Sequence, residues 1–486
     1  LIWAFIVFLF LVRLVYSAIM DLSPEEAYYW NYAMHPALSY FDHPPMVAWV
    51  ISMGTFLFGK TEIGVRIGGI ILALGSTFLI YFLGKMWFDN KSGLWAALLF
   101  QVIPIYFIYG FTITPDIPLI FFWLMTMYLV SISLLGDKKW GWYAAGFTLG
   151  CSMLSKYPGV FLVPSTFLFL LVNRGYRKWL WRKEPYIALI ISLLVISPVI
   201  VWNYQHHWAS FNFQFSQRFS KDAHHPLLYF LRFLGSQMGV LFPTFFFGLL
   251  LVLVASFRLS IKDWDPKWKF VFFYSFPLLL LFSFYSTKGE VKVNWALPGY
   301  LSLFIAAYPC YRYLRRKAKG RWKVVVSRVT AFSIYAMPVV FLFFLYHLSI
   351  GIPLVPPLTK LGGWEQLGAA MEKEEMAMEK ETGRDPFLVG MSKYHIAAEL
   401  AFYTDEPYDT FSSNLFGGPS LAFEYWTHKK VLQNRDALVI SKEPPNLDFL
   451  KNYFVRVDKR IRPIVVTRQG QTIQSFYLTR CYQYTG

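Results

Sequence analysis

A chain of 486 residues that is 56% hydrophobic and 20% aromatic, with a mean hydropathy of +0.40, suits a bilayer better than water. Its net charge of +17 would suggest a nucleic-acid partner in a soluble protein, but the basic residues gather in short loops between apolar runs, as the positive-inside rule expects of cytoplasmic loops, so no nucleic acid is expected. Cys151, Cys310 and Cys481 lie far apart without paired ligand spacing, which argues against a disulfide framework or a thiolate metal site.

Apolar runs near the roughly 20 residues that cross a hydrocarbon core predict eleven helices, at 1–19, 63–87, 92–110, 117–135, 140–154, 159–173, 186–203, 227–257, 270–286, 294–312 and 324–349. The first run contains Arg13 and lacks a charged leader region or a small-residue cleavage site, so it is read as a retained span. Basic clusters at Lys138-Lys139, Arg174 to Lys183, Arg258 to Lys269 and Arg312 to Lys323 mark the cytoplasmic loops. Parity then puts 20–62, 111–116, 155–158, 204–226, 287–293 and the chain after 350 on the opposite face, and this one orientation satisfies every loop. Segment 20–62 includes two short amphipathic stretches predicted to lie along the membrane surface.

From about Thr359 the composition turns soluble. A helix-like run from Trp364 to Glu381 precedes β-type runs at Phe387-Leu388-Val389 and Ala437 to Ile440, which predicts a small α/β domain. The expected organisation is a membrane domain over 1–349, with its chemistry in outer loops 20–62 and 204–226, and an extracytoplasmic domain over 350–486. The sequence shows neither a repeat period nor a Gly-rich phosphate loop, so no nucleotide cofactor is expected.

Three constellations on the outer face carry chemistry. In Ser23-Pro24-Glu25-Glu26, Ser23 suits a helix cap, Pro24 the first turn, and the two glutamates the helix dipole; a carboxylate here can also act as general base on an acceptor hydroxyl. In Tyr40-Phe41-Asp42-His43-Pro44-Pro45 the double proline fixes the start of the next helix, Asp42 can ligate a divalent cation and His43 can hold a phosphate oxygen. In Gln217 to Pro226, Arg218 and Lys221 offer phosphate donors, and His224 and His225 offer one metal ligand between them; a loop whose cations meet lipid headgroups is the plainer alternative. Weaker signals place Asp116, Lys156 and Lys288 at outer helix ends, where snorkelling also accounts for a lone lysine.

These residues together resemble the polytopic glycosyltransferases of the GT-C class, related to protein O-mannosyltransferases and to the aminoarabinose transferases of lipid A. The resemblance runs along nearly the whole chain, through the acidic pair, Tyr40 to Pro45, Thr114 to Pro118, Lys156, Arg218 to Pro226, Gly363-Trp364-Glu365, and Lys393 to Tyr403. It places the family's acidic pair on Glu25 and Glu26, with Glu25 where the family usually has aspartate. His43 stands where aminoarabinose transferases usually have lysine, which makes charge at that position depend on pH. The region of the family's metal-binding histidine falls on His224 and His225, without settling which.

The resemblance implies a polyprenyl-phosphate-linked sugar as donor and a single inverting displacement at the anomeric carbon, with Glu25 assisting the nucleophile. Lys156, Arg218, His43, Lys221, Asp116 and Lys288 would meet the donor phosphate or substrate, and Asp42 with His224 or His225 would hold a divalent metal. By analogy of the tail domain, the acceptor is lipid A or lipopolysaccharide core, at the outer face of a bacterial inner membrane. The sugar is left open among aminoarabinose, a uronic acid such as galacturonic acid, a hexosamine and mannose. Alternatives are a transporter or lipid flippase, a transferase with a protein or other glycan acceptor, and a noncatalytic outer-face receptor. Against the transporter stands the clustering of charge at one interface rather than at the bilayer midplane.

Overall fold

Proline stands at the start of several helices in this chain. The computed structural model describes residues 2–214, 225–262, 265–317, 319–349, 362–468 and 471–486. In chain order the helices are α1 Ile2–Ile19, α2 Pro24–Met34, α3 Met46–Phe58, α4 Glu62–Trp87, α5 Asn90–Val102, α6 Pro104–Ile108, α7 Asp116–Gly136, α8 Lys139–Ser155, α9 Leu162–Val172, α10 Glu184–Gln205, α11 Ala209–Asn212, α12 Pro226–Leu241, α13 Pro243–Lys262, α14 Pro266–Phe273, α15 Phe276–Tyr285, α16 Leu301–Lys317, α17 Arg321–Ser349, α18 Trp364–Thr382 and α19 His395–Tyr403. Among the described residues, six helical stretches are long and apolar enough to cross a membrane: α1, α4, α7, α10, α13 and the run from Pro266 to Tyr285.

Each of the eleven expected helices has a counterpart, but three are not continuous. The expected helix 227–257 is two, because Phe242 adopts φ +68 and Pro243 follows it; proline lacks an N–H and disfavours the α conformation of the residue before it. The stretch 92–110 breaks before Pro104 for the same reason, and 270–286 is interrupted between Phe273 and Phe276. The two surface stretches expected in 20–62 are α2 and α3, the latter apolar but only 13 residues long.

By compactness the chain divides into one unit of residues 1–14, 43–47 and 69–345 and a second of residues 15–42, 48–68 and 346–486. This division departs from a linear split at 349/350, since α2 and parts of α1, α3 and α4 belong with the C-terminal residues. Within the first unit, helices meet where small residues let backbones approach: a Cβ on Gly146 of α8 would clash with the Ala188 carbonyl oxygen of α10. Buried in the same unit, the Arg13 guanidinium donates to Gln101 and lies 4.7 Å from the centre of the Phe107 ring. An ion carried into a bundle interior requires such partners.

Within the second unit a six-stranded sheet comprises β1 Phe387–Gly390, β2 Thr410–Ser412, β3 Ala437–Ser441, β4 Phe454–Val457, β5 Arg462–Arg468 and β6 Gln471–Tyr484. Its order is β2-β1-β3-β6-β4, parallel on the β1 side and antiparallel about β6, whose first half pairs with β5. Every residue of β1 and β3 is buried. Phe387, Val389, Ala437 and Val439 enter one core, and Leu388, Leu438 and Ile440 enter another with Trp364 and Met371 of α18. This is the continuous apolar pattern of strands covered on both faces.

Candidate active site

The second unit holds an acidic and aromatic cluster built on α2. Ser23 caps the helix: its Oγ accepts from the Glu26 amide at 3.4 Å, while Glu26 Oε2 accepts from the Ser23 amide at 3.0 Å. This capping box turns the Glu26 carboxylate toward Arg66 of α4, which donates from Nε at 2.8 Å and from Nη2 at 2.9 Å. The fork is buried, and the same guanidinium ties down the carbonyls of Ser17, Met20 and Asp21. Glu26 is therefore engaged on both oxygens in holding the segment before α2, whereas Glu25, the next residue back, is exposed.

Asp42 is 3% exposed and accepts the hydroxyls of Tyr28, at 2.8 Å, and Tyr32. Burial, followed by the charge of Asp42, raises both phenols well above their ordinary range. Tyr29 and Tyr394 are raised by burial and then by the charges of Glu25 and Asp42. Two carboxylates thus act on a wall of protonated phenols, which donate hydrogen bonds rather than carry charge.

The first unit holds the cationic cluster. Lys156 caps the C-terminus of α8 in extended conformation, and its Nζ lies 2.9 Å from each oxygen of Asp116, the first residue of α7. Asn294 Nδ2 adds a third donor at 2.7 Å to Asp116 Oδ2. Lys156 and Asp116 are 5% and 2% exposed, so the pair is desolvated but satisfied. Lys156 and His43 also line a cavity of about 150 Å³ whose other walls include Tyr157, Phe161, Phe282, Tyr285 and Trp295.

Of the remaining expected residues, Lys288 is exposed, with its Nζ 4.7 Å from the centre of the Phe284 ring, and does not line this cavity. His225 is exposed just before α12. Arg218, Lys221 and His224 lie outside the described residues. Among the described residues, the acidic, histidine and cysteine groups close enough together to share a metal ion are Asp385, Glu406 and Asp409, a set that includes neither Asp42 nor His225. Sequence reasoning missed Arg66 and Asn294. Arg66 had a signal, a lone cation one turn inside an otherwise apolar span; Asn294 had none beyond its place in a charged stretch.

A chain with several apolar spans and a small C-terminal α/β domain is a multi-pass membrane protein of GT-C architecture. Residues 42–202 match the dolichyl-phosphate-mannose-protein mannosyltransferase family. The chain is 26% identical over 295 residues to the lipid A galacturonosyltransferase RgtD of Rhizobium johnstonii, covering 59% of this chain and 60% of that protein. It is 30% identical over 174 residues to the undecaprenyl phosphate-alpha-4-amino-4-deoxy-L-arabinose arabinosyl transferase of Pseudomonas savastanoi, covering 33% and 31%. The alignments thus span at most about three-fifths of these curated relatives. In fold it matches ArnT from Cupriavidus metallidurans bound to undecaprenyl phosphate, with a TM-score of 0.65 at 15% identity over 98% of this chain and 97% of that one. The Archaeoglobus fulgidus oligosaccharyltransferase follows with a TM-score of 0.53 at 14% identity, over 89% and 68%. The resemblance read from the motifs is borne out.

Proposed function

We propose that this protein transfers a sugar from a polyprenyl-phosphate donor to lipid A or lipopolysaccharide core on the outer face of a bacterial inner membrane. The observation that carries the reading is the buried Lys156 in the wall of a largely apolar, aromatic cavity. A lysine fixed by Asp116, which Asn294 holds in turn, suits a phosphate oxygen, and the apolar walls suit the start of an isoprenoid chain. The basic loops, opposite in face to the segments that carry both clusters, support the periplasmic placement.

In the proposed displacement the acceptor hydroxyl attacks the anomeric carbon, the bond from that carbon to the phosphate oxygen breaks, and the hydroxyl proton passes to Glu25. The charge left on the polyprenyl phosphate is compensated by Lys156, with His43 as a further donor. Glu26 serves as a positioning residue through Arg66. Asp42 orients Tyr28 and Tyr32 through Oδ1, and no step is assigned to a divalent metal.

The test is the affinity for undecaprenyl phosphate of the full protein in detergent. Lys156→Ala is expected to weaken it about 10- to 100-fold, the range of a lost charge-assisted hydrogen bond. Because that variant strands Asp116, an Asp116→Asn, Lys156→Met pair serves as its folded counterpart. Unchanged affinity in a folded variant of either kind would overturn the assignment.

A further inference from the structure

Two C-terminal stretches that stood out in the sequence, Gly363-Trp364 and the run ending at Tyr403, have no task in the proposed reaction, and both meet the residues just before α2. The Leu22 amide donates to the Tyr403 hydroxyl at 2.8 Å, across 381 positions of chain, and that hydroxyl in turn donates to Glu62 at 3.0 Å. Asp21 Oδ2 accepts from the Gly363 amide at 2.6 Å and from the Trp364 amide at 3.0 Å. These two amides open α18, and the first N–H groups of a helix have no partner inside it. Gly363 holds φ +86 and has no side chain to cap them, so the carboxylate of Asp21 caps α18 from a distant part of the chain, where the helix dipole favours it.

The bonds close on three consecutive residues, all within the second compact unit. The Asp21 carbonyl also accepts from Arg66 at 2.8 Å, Leu22 is fully buried, and Ser23 caps α2. Glu25 follows two residues later in the first turn of α2 and is exposed, so the course of that turn decides where its carboxylate can reach. Burial, then the charges of Glu399, Asp21 and Glu62, raises the Tyr403 phenol far above its ordinary range, and it holds Glu62 as a neutral donor.

We propose that Tyr403 and Asp21 are positioning residues for Glu25, through which the C-terminal α/β part of the chain holds the start of α2 in the geometry that sugar transfer requires. The inference rests on the reading of Glu25 as the base. Neither residue lines the cavity that contains Lys156, so the tethers act on the attack by the acceptor and not on the hold on the donor. A misplacement of about 1 Å costs on the order of 100-fold in rate; loss of one of two tethers is expected to cost about 10-fold in kcat.

The experiment measures transfer from a panel of undecaprenyl-phosphate sugars to lipid A by the full protein in nanodiscs, as turnover per folded molecule at saturating substrates, with donor affinity followed in parallel. Tyr403→Phe and Asp21→Asn are each made alone and combined with Glu25→Gln, and should either fail to fold, the other decides. Each single variant is expected to lose about 10-fold in kcat with donor affinity unchanged, and to cause no further loss in the Glu25→Gln background, because residues that act as a unit are not additive. A purely structural part for these bonds would lower the melting temperature, leave turnover per folded molecule alone, and multiply with any effect of Glu25→Gln. Wild-type kcat in the folded single variants, or the same fold-loss with and without Glu25, would overturn the proposal while leaving Glu25 as the base. Equal rates in wild type and Glu25→Gln, or no transfer by wild type, would instead overturn the reading of Glu25, and the proposal with it.

Discussion

Glu25 and Glu26 are the same residue type one position apart, yet the structure gives them opposite surroundings. The capping box and the Arg66 fork enclose Glu26, while Glu25 faces solvent beside a row of phenols. Removing one partner from a buried charge pair costs about 3–5 kcal/mol. Arg66→Met should therefore lower unfolding stability by that order in detergent denaturation, and a loss below roughly 0.5 kcal/mol, the scatter of ordinary surface substitutions, would contradict the role given to the fork. A second buried acid makes a prediction about pH. Glu399 of α19 is 1% exposed, neither of its oxygens has a hydrogen-bond partner among the described residues, and burial followed by Asp21 and Glu26 raises its carboxyl well above 4.5. An acid whose folded pKa is raised contributes stability that is complete below its unfolded value and is lost as pH rises toward the folded one. The melting temperature of wild type should thus fall relative to Glu399→Gln as pH climbs from about 4.5 toward neutrality. Parallel pH profiles for the two proteins would show that Glu399 is not held protonated. The sequence displayed Glu25, Glu26, Asp42 and Lys156 as charge in outer segments, but not Tyr28 and Tyr32 as partners of Asp42, because a tyrosine in an aromatic-rich stretch carries no mark of what its hydroxyl will meet.

At the scale of elements, hydropathy located every long apolar helix, since such a run has few alternatives in a bilayer. The breaks were harder to read. Pro198 lies within the continuous helix α10 and Pro309 within α16, whereas Pro104 and Pro243 begin new helices; proline in sequence marks a lost hydrogen bond without deciding whether the helix kinks or ends. Helix contacts are equally hidden, because a glycine that permits a close approach looks like any other. Gly146 and Gly248 illustrate this. The first would place a Cβ against the Ala188 carbonyl of α10, and the second meets nothing within 4 Å. Gly146→Ala should destabilise by about 1–3 kcal/mol through overpacking, and Gly248→Ala should be neutral or stabilising by up to about 1 kcal/mol through helix propensity. Equal effects from the two, measured as shifts in thermal melting, would refute the close approach of α8 and α10.

At the scale of the whole molecule, the change of composition near Thr359 marked the α/β domain from sequence. What the sequence did not reveal is that residues 15–42 and 48–68 group with the C-terminal part, because compactness depends on contacts between α2 and α19, more than 350 residues apart in the chain. The central claim is that the exposed glutamate of α2 takes a proton from an acceptor in a sugar transfer. The measurement that tests it most directly is transfer from a panel of undecaprenyl-phosphate sugars to lipid A, by wild type and Glu25→Gln in nanodiscs, with donor binding followed in parallel. Transfer by wild type, reduced about 10²- to 10⁴-fold in a folded Glu25→Gln protein that still binds donor, is the predicted result; equal rates in the two proteins, or no transfer from any donor, would contradict the account.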